Sequence, residues 1–182
     1  MSRRPQLRDR LAEVFTWRTD RGSVAYNADI TGWLRDPVLL QEIGPALGTL
    51  YDERPTVVAG PASRGAMLGA LTAAALGVGF VEIRKHVGPA HDSDRWVRRK
   101  TGPDYRDRQL VFGFRRSLIQ AGDRVLLVDD WADTGATIRT ARALIEDCGA
   151  GWIGAVVMVD GLTDPRLRHD LPLRALLDVR RL

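Results

Sequence analysis

Asp129 and Asp130 are the residues best placed to do chemistry, because of what stands on either side of them. Before them runs Val125-Leu126-Leu127-Val128, a short unbroken apolar stretch of the kind that forms a strand buried on both faces. After them come Trp131, Ala132, Asp133 and a small, hydroxyl-rich turn, Thr134-Gly135-Ala136-Thr137. Ile138 to Asp147 then reads as a helix. In an open α/β sheet, a strand-to-helix junction of this type is where ligands bind. N–H groups of the turn and of the helix N-terminus make a socket for an anion, most often a phosphate. Adjacent carboxylates beside that socket suit a sugar diol or a hydrated metal ion.

Other elements must bring further groups to this junction. Thr56-Val57-Val58-Ala59 reads as a buried strand followed by the tight loop Gly60 to Gly65, which carries Arg64, and by a helix from Ala66 to Leu76. Phe80 to Ile83 reads as the next strand, ending on Arg84-Lys85. Ile153 to Val159 is another buried strand, and Leu173 to Val179 a last apolar piece beyond a polar connector with Pro165 and Pro172. Upstream, residues 6–16 have helical spacing, Val24-Ala25-Tyr26 reads as extended, and Asp36-Pro37 signals the start of a helix. Strands alternating with helices predict a single α/β domain with a mostly parallel twisted sheet and right-handed crossovers. The ends of its parallel strands share one edge. A ligand there meets Arg64, Arg84 and Lys85, the acidic pair and the anion socket, which suits a molecule with phosphates at both ends and hydroxyls between. From Val87 to Tyr105 no periodicity is visible, so this stretch reads as a long loop, and Leu110 to Phe114 as extended.

Composition narrows the class. The chain has 182 residues and a net charge of +4, with only Lys85 and Lys100 as lysines among 27 basic residues. Cys148 is the only cysteine, so no disulfide forms within the chain, which suits a reducing, cytoplasmic setting. The basic N-terminus is not followed by an apolar signal segment, and Gly65 to Val81 is too short and glycine-rich for the about 20 apolar residues of a membrane span. His86, His91 and His169 are too scattered for a zinc set. The arginines between His86 and Arg116 suit either nucleic acid or a loop that folds over a small polyanion.

Other phosphate motifs are absent. Neither lysine follows a glycine, as a Walker A loop requires, and Gly77-Val78-Gly79 leads into a strand rather than a helix. A phosphatase-type Asp-x-Asp is excluded at Asp129 by Trp131. What remains is specific: Val125 to Thr137 resembles the phosphoribosyl-diphosphate (PRPP) signature of type I phosphoribosyltransferases. Asp29-Ile30-Thr31, Val58 to Gly65 and Leu76 to Lys85 extend the resemblance to the adenine phosphoribosyltransferase group, over about Tyr26 to Leu177.

The resemblance implies a role for each matching residue. Asp129 and Asp130 would hold the ribose hydroxyls, directly or through hydrated Mg²⁺. Asp133, Thr134, Gly135, Ala136 and Thr137 would wrap the 5′-phosphate. Ala62, Ser63, Arg64 and Gly65 would form the pyrophosphate loop, and Arg84 and Lys85 would contact the same diphosphate. Residues 87–110, with Lys100 and Tyr105, would be a mobile hood, and residues 1–22 an N-terminal helical extension. The implied reaction is Mg²⁺-dependent transfer of the phosphoribosyl group to a purine or purine-like base by a cytoplasmic homodimer, with no role for nucleic acid or membrane. A PRPP-sensing regulator of RNA or protein is the alternative.

Departures from the group's pattern concern the base. Tyr26, Asn27 and Ala28 stand where the group carries an aromatic–arginine pair that shapes the base pocket. Adenine-specific members usually have alanine at Asp133, whereas members acting on 6-oxopurines have aspartate there. Asp133 therefore reads as a general base or as the N-cap of the following helix, and both readings stand. Ala62 replaces the usual acidic residue of the pyrophosphate loop. Asp104 or Asp107 would stand in for the glutamate expected after Tyr105. Trp131 reads equally as a ribose-site neighbour or as a core or interface residue.

Overall fold

Val125, Leu126, Leu127 and Val128 are each 0% exposed, because their strand lies inside a seven-stranded sheet covered on both faces. The computed structural model describes residues 6–19, 27–85, 95–102 and 109–182. In chain order the elements are α1 (Leu7–Val14), β1 (Thr16–Arg18), β2 (Asn27–Asp29), α2 (Thr31–Arg35), α3 (Pro37–Gly48), β3 (Val57–Pro61), α4 (Arg64–Leu76) and β4 (Gly79–Lys85). They continue with β5 (Trp96–Lys100), β6 (Val111–Arg115), β7 (Arg124–Ala132), α5 (Ala136–Glu146), β8 (Gly151–Asp160), α6 (Pro165–Asp170) and β9 (Leu173–Asp178). The sheet order is β5-β6-β4-β3-β7-β8-β9. Pairs from β4 through β9 by way of β3, β7 and β8 are parallel, and the β4–β6 and β6–β5 pairs are antiparallel.

Alternation along β7 divides the core. Val125 and Leu127 pack with Ile138, Ala141, Leu144 and Ile145 of α5. Leu126 and Val128 pack with Leu39, Ile43 and Leu47 of α3 and Leu68 of α4 on the other face. A strand with both sides apolar needs no polar alternation, which is why the run reads as unbroken. From β3 the chain winds through α4 to β4 on one side. From β7 it winds through α5 to β8 on the other. The β3–β7 crevice is thus the point where winding reverses, and ligands bind at such points.

Local chemistry sets the helix starts. Asp36 accepts hydrogen bonds from the N–H groups of Val38 (2.8 Å) and Leu39 (3.0 Å), with Pro37 first in α3, as Asp36-Pro37 predicts. Asp36→Ala removes the oxygen that accepts both bonds and the contact with Arg10. It is expected to lower stability by about 1–2 kcal/mol, read from the urea midpoint.

Several expectations change. The stretch expected to be loop from Val87 to Tyr105 contains β5, whose residues pair with β6 from Trp96↔Arg115 to Lys100↔Val111. This strand is at the sheet edge and puts only Val97 into the core, so three consecutive cations hide it from periodicity. α2, α6 and the β1–β2 pair were not expected. α4 begins at Arg64 rather than Ala66, and α5 at Ala136 rather than Ile138. Val24 to Tyr26, and most of residues 86–108 outside β5, lie outside the described residues. No helix among the described residues is long and apolar enough to cross a membrane.

Candidate active site

β7 does not stop before its acidic pair. It continues to Ala132 along β8, where Asp129 pairs with Val157 and Trp131 with Val159, but its pairing with β3 ends at Leu127. The carboxylates therefore sit where the crevice opens on the β3 side. Asp129 is 8% exposed, and its Oδ1 accepts the N–H of Asp130 at 2.9 Å. Burial pushes its carboxyl well above the usual carboxylate range. The charge of Asp130 adds to this, and Lys85 opposes it. The Asp130 carboxylate is met by Arg64 Nε at 2.9 Å. Arg64 is the first residue of α4, so this ion pair links the loop after β3 to the end of β7.

Glycine lets the two approach. A Cβ on Gly65 would lie 2.6 Å from Asp129 Oδ1 and 2.7 Å from Pro61 Cδ. A Cβ on Gly60 would collide with the Gly65 carbonyl. Strand, loop and helix thus pass each other backbone to backbone. The Ala62–Ser63 peptide between them is cis, and the Ala62 N–H donates to the Ile83 carbonyl at 2.9 Å.

The turn after β7 carries the residues expected to form the anion socket. Gly135 has φ 70° and is the N-cap of α5, with no side-chain cap. Thr134 Oγ1 accepts from the Ala136 N–H at 3.3 Å. The capping reading of Asp133 is therefore overturned: the N-cap of α5 is Gly135, two residues beyond Asp133. Its carboxyl is raised by burial. The first-turn N–H groups of α5 lack intrahelical partners, as at any helix start.

Arg84 and Lys85 part company. They are neighbours in β4, and successive residues of a strand face opposite sides. Lys85 acts on Asp129, and its Nζ lies 6.0 Å from the Phe112 ring. Arg84 goes to the other face, bonded to Glu82 at 3.3 Å and set 5.6 Å from the Trp96 ring. Lys85 thus stands towards the acidic pair, while Arg84 lies beside Glu82 and Trp96.

The sequence profile of the phosphoribosyl transferase domain matches residues 35–176. This chain belongs to that family. An adenine phosphoribosyltransferase of Nitrosospira multiformis is 38% identical over 141 residues, covering 72% of this chain and 73% of that relative. One of Paracidovorax citrulli is 34% identical over 158 residues, covering 82% and 83%. The crystal structure of adenine phosphoribosyltransferase from Thermoanaerobacter pseudethanolicus superposes with a TM-score of 0.80 at 25% identity, covering 94% of this chain and 99% of that one. The chain is thus an enzyme of the phosphoribosyltransferase class.

Within this phosphoribosyltransferase domain, Asn27 and Ala28 lie on β2, paired with Arg18 and Trp17 of β1. Tyr26 lies outside the described residues, as do Tyr105, Asp104, Asp107, His86 and His91. Trp131, two residues past Asp129, is set 6.4 Å from the Phe15 ring and 6.0 Å from that of Trp17, and Phe15 in turn is 5.9 Å from Trp33. Sequence reasoning did not single out Phe15 and Trp17. Their i, i+2 spacing was the strand signal that could have found them. Lys100 ends β5 and is exposed. Cys148 is half-buried just past the end of α5, where burial raises its thiol.

Asp129 and Asp130 also fit a magnesium ion. They offer hard carboxylate oxygens, and the repulsion between them would be relieved by a cation. No cluster of three or more His, Cys, Asp or Glu exists among the described residues. A protein site with only two carboxylates suits Mg²⁺, which keeps several waters.

Proposed function

We propose that the enzyme transfers the 5-phosphoribosyl group of PRPP to a purine base of the adenine type, giving a nucleoside 5′-monophosphate and pyrophosphate. The observation that carries this reading is the meeting, at the β3–β7 crevice, of the Asp129–Asp130 pair, the Arg64 loop and the α5 anion socket. The relatives named above are all transferases, which favours catalysis over PRPP sensing.

In this reading, Thr134, Gly135, Ala136 and Thr137 hold the 5′-phosphate by their N–H groups and hydroxyls, beside Asp133. Asp129 and Asp130 accept the ribose 2′- and 3′-hydroxyls. Ala62 to Gly65 wrap the diphosphate, with Arg64, Arg84 and Lys85 as cations. The bond from ribose C1 to the pyrophosphate oxygen breaks with its electrons leaving on pyrophosphate, and a base nitrogen forms the new bond to C1. The sugar passes through an oxocarbenium-like state, which the nearby carboxylates stabilise electrostatically. Mg²⁺ held through water at Asp129 and Asp130 would neutralise charge on the diphosphate. Residues 87–110 serve as the hood that keeps water from C1. Tyr26, Asn27 and Ala28 border the base. The working form is a cytoplasmic homodimer, to be checked by sedimentation, with small molecules rather than nucleic acid as partners.

The direct test is PRPP and Mg²⁺ with adenine, hypoxanthine and guanine in turn, following nucleotide and pyrophosphate. Product with adenine is expected; no product and no base consumed with any of them would sink the proposal. Asp133 takes the proton lost by the attacking base. Asp133→Asn should lower kcat by about 10²-fold or more with no loss of melting temperature. The wild-type rate should fall as pH drops through the raised pKa of Asp133, above the ordinary value of 3.8, and the variant should lose that acid limb. A variant with the wild-type profile would remove Asp133 from the chemistry.

A further inference from the structure

The turn that reads as the 5′-phosphate site is supported from behind by a second layer. A Cβ on Gly135 would lie 2.8 Å from Leu171 Cδ1 and 3.8 Å from Leu162 Cδ2. Both leucines are buried, and both belong to the segment joining β8 to β9. That segment is tied to the site strand at its start, where the Gly161 N–H donates to the Ala132 carbonyl at 2.8 Å. One ion pair then closes it on itself. Arg168 Nε donates to Asp160 Oδ2 at 2.7 Å, and Arg168 Nη2 donates to Asp160 Oδ1 and to the Leu162 carbonyl, each at 3.1 Å. The Leu162 N–H donates to Asp160 Oδ1 at 3.0 Å. Leu162 is therefore held at both its N–H and its C=O by the same pair. On the helix side, Arg139 Nη2 donates to the Thr134 carbonyl at 3.1 Å, so the turn is gripped from both directions.

We propose that the Asp160–Arg168 pair is a positioning device for the phosphate-binding turn, holding Leu162 and Leu171 beneath Gly135 and so fixing the aim of the N–H groups from Thr134 to Thr137. The proposal rests on the phosphoribosyl reading of the site. A left-handed glycine has many backbone alternatives close in energy. Without a rigid floor the turn could relax, and its N–H groups would no longer converge on one anion. A bidentate guanidinium–carboxylate fork fixes both distance and plane, which a lysine in place of Arg168 would not do. Neither residue touches the acidic pair or the pyrophosphate loop in any bond described above, so the effect should be confined to the 5′-phosphate end of the ligand.

The test compares ribose 5-phosphate and pyrophosphate, each with Mg²⁺, binding to wild type, Arg168→Ala and Arg168→Lys by calorimetry, with steady-state kinetics and melting temperatures alongside. Arg168→Ala should weaken ribose 5-phosphate by roughly ten- to a hundredfold and leave pyrophosphate unchanged, since small misplacements of binding groups carry losses of that order. KM for PRPP should rise more than kcat falls, and Arg168→Lys should lie between. Should Arg168→Ala fail to fold, Asp160→Asn, which keeps the acceptor for the Leu162 N–H, carries the same comparison. Equal weakening of both ligands together with a lower melting temperature would make the pair merely structural, and unchanged ribose 5-phosphate affinity would also overturn the proposal. A wild-type protein that binds neither ligand would instead overturn the functional reading, and this inference with it.

Discussion

Asp129→Asn is expected to abolish PRPP binding and yet raise the melting temperature of the ligand-free protein. The binding loss follows from the role of the carboxylate. It should exceed about 100-fold, because a hydrogen bond from a ribose hydroxyl to a charged acceptor is lost together with the negative charge that would hold Mg²⁺. The stability gain follows from burial. In the folded protein the Asp129 carboxyl is raised well above 3.8, first by desolvation and then by Asp130. A raised carboxyl contributes stability that is fully present below the unfolded value and is lost as pH rises through the folded one. Once ionised, the folded state thus carries an unfavourable buried charge, only partly offset by Lys85. Asparagine keeps the acceptor for the Asp130 N–H and removes that charge. The gap in melting temperature between variant and wild type should be small near pH 4 and widen towards neutrality. A gap that is absent, or that narrows with rising pH, would contradict the burial argument. A variant that binds PRPP normally would contradict the diol role.

Gly65→Ala should be nearly as damaging, although it adds only one methyl. The new Cβ would stand 2.6 Å from Asp129 Oδ1 and 2.7 Å from Pro61 Cδ. Neither neighbour is the far end of a flexible chain: one is a short buried carboxylate, the other a proline ring at the end of β3. Something must move, and every candidate belongs to the site. Overpacking of this kind costs about 1–3 kcal/mol of stability. The larger effect should be on turnover, with kcat/KM for PRPP down roughly a hundredfold or more, since the Arg64 loop and Asp129 are forced apart. An alanine variant that retains wild-type kcat/KM would show that the close approach of loop and carboxylate is not needed for catalysis. Gly69→Ser, whose new Cβ would meet the Phe80 ring at 2.6 Å rather than a carboxylate, controls for overpacking of α4 itself.

Much of the fold was legible because its signals are local. The buried strands at Val57, Val125 and Ile153 announce themselves as short apolar runs between glycine or proline breaks, and Asp36-Pro37 marks a helix start by cap chemistry that depends on adjacent residues alone. β5 was hidden because an edge strand needs little apolar patterning. Its register comes from pairing with β6, a partner on the far side of residues 101–110. α6 was hidden because its six residues carry three charges, and Asp164 and Pro165 were its only markers.

The sequence by itself determined the chemistry available: two carboxylates at the end of a buried strand, a glycine turn able to receive a phosphate, and a small loop carrying Arg64. These are properties of residue type and spacing, and the family signature is written in them. Only the tertiary structure decided which of those groups meet. It joined Arg64 to Asp130 across the crevice, because the winding reverses between β3 and β7. It set Lys85 near enough to act on Asp129 and placed Arg84 beside Glu82 and Trp96. It freed Asp133 from capping by starting α5 at Ala136, and it set Asp160 and Arg168 behind the phosphate turn. Such pairings depend on which strand lies next to which, and that is settled by packing over the whole sheet rather than by any one stretch of chain.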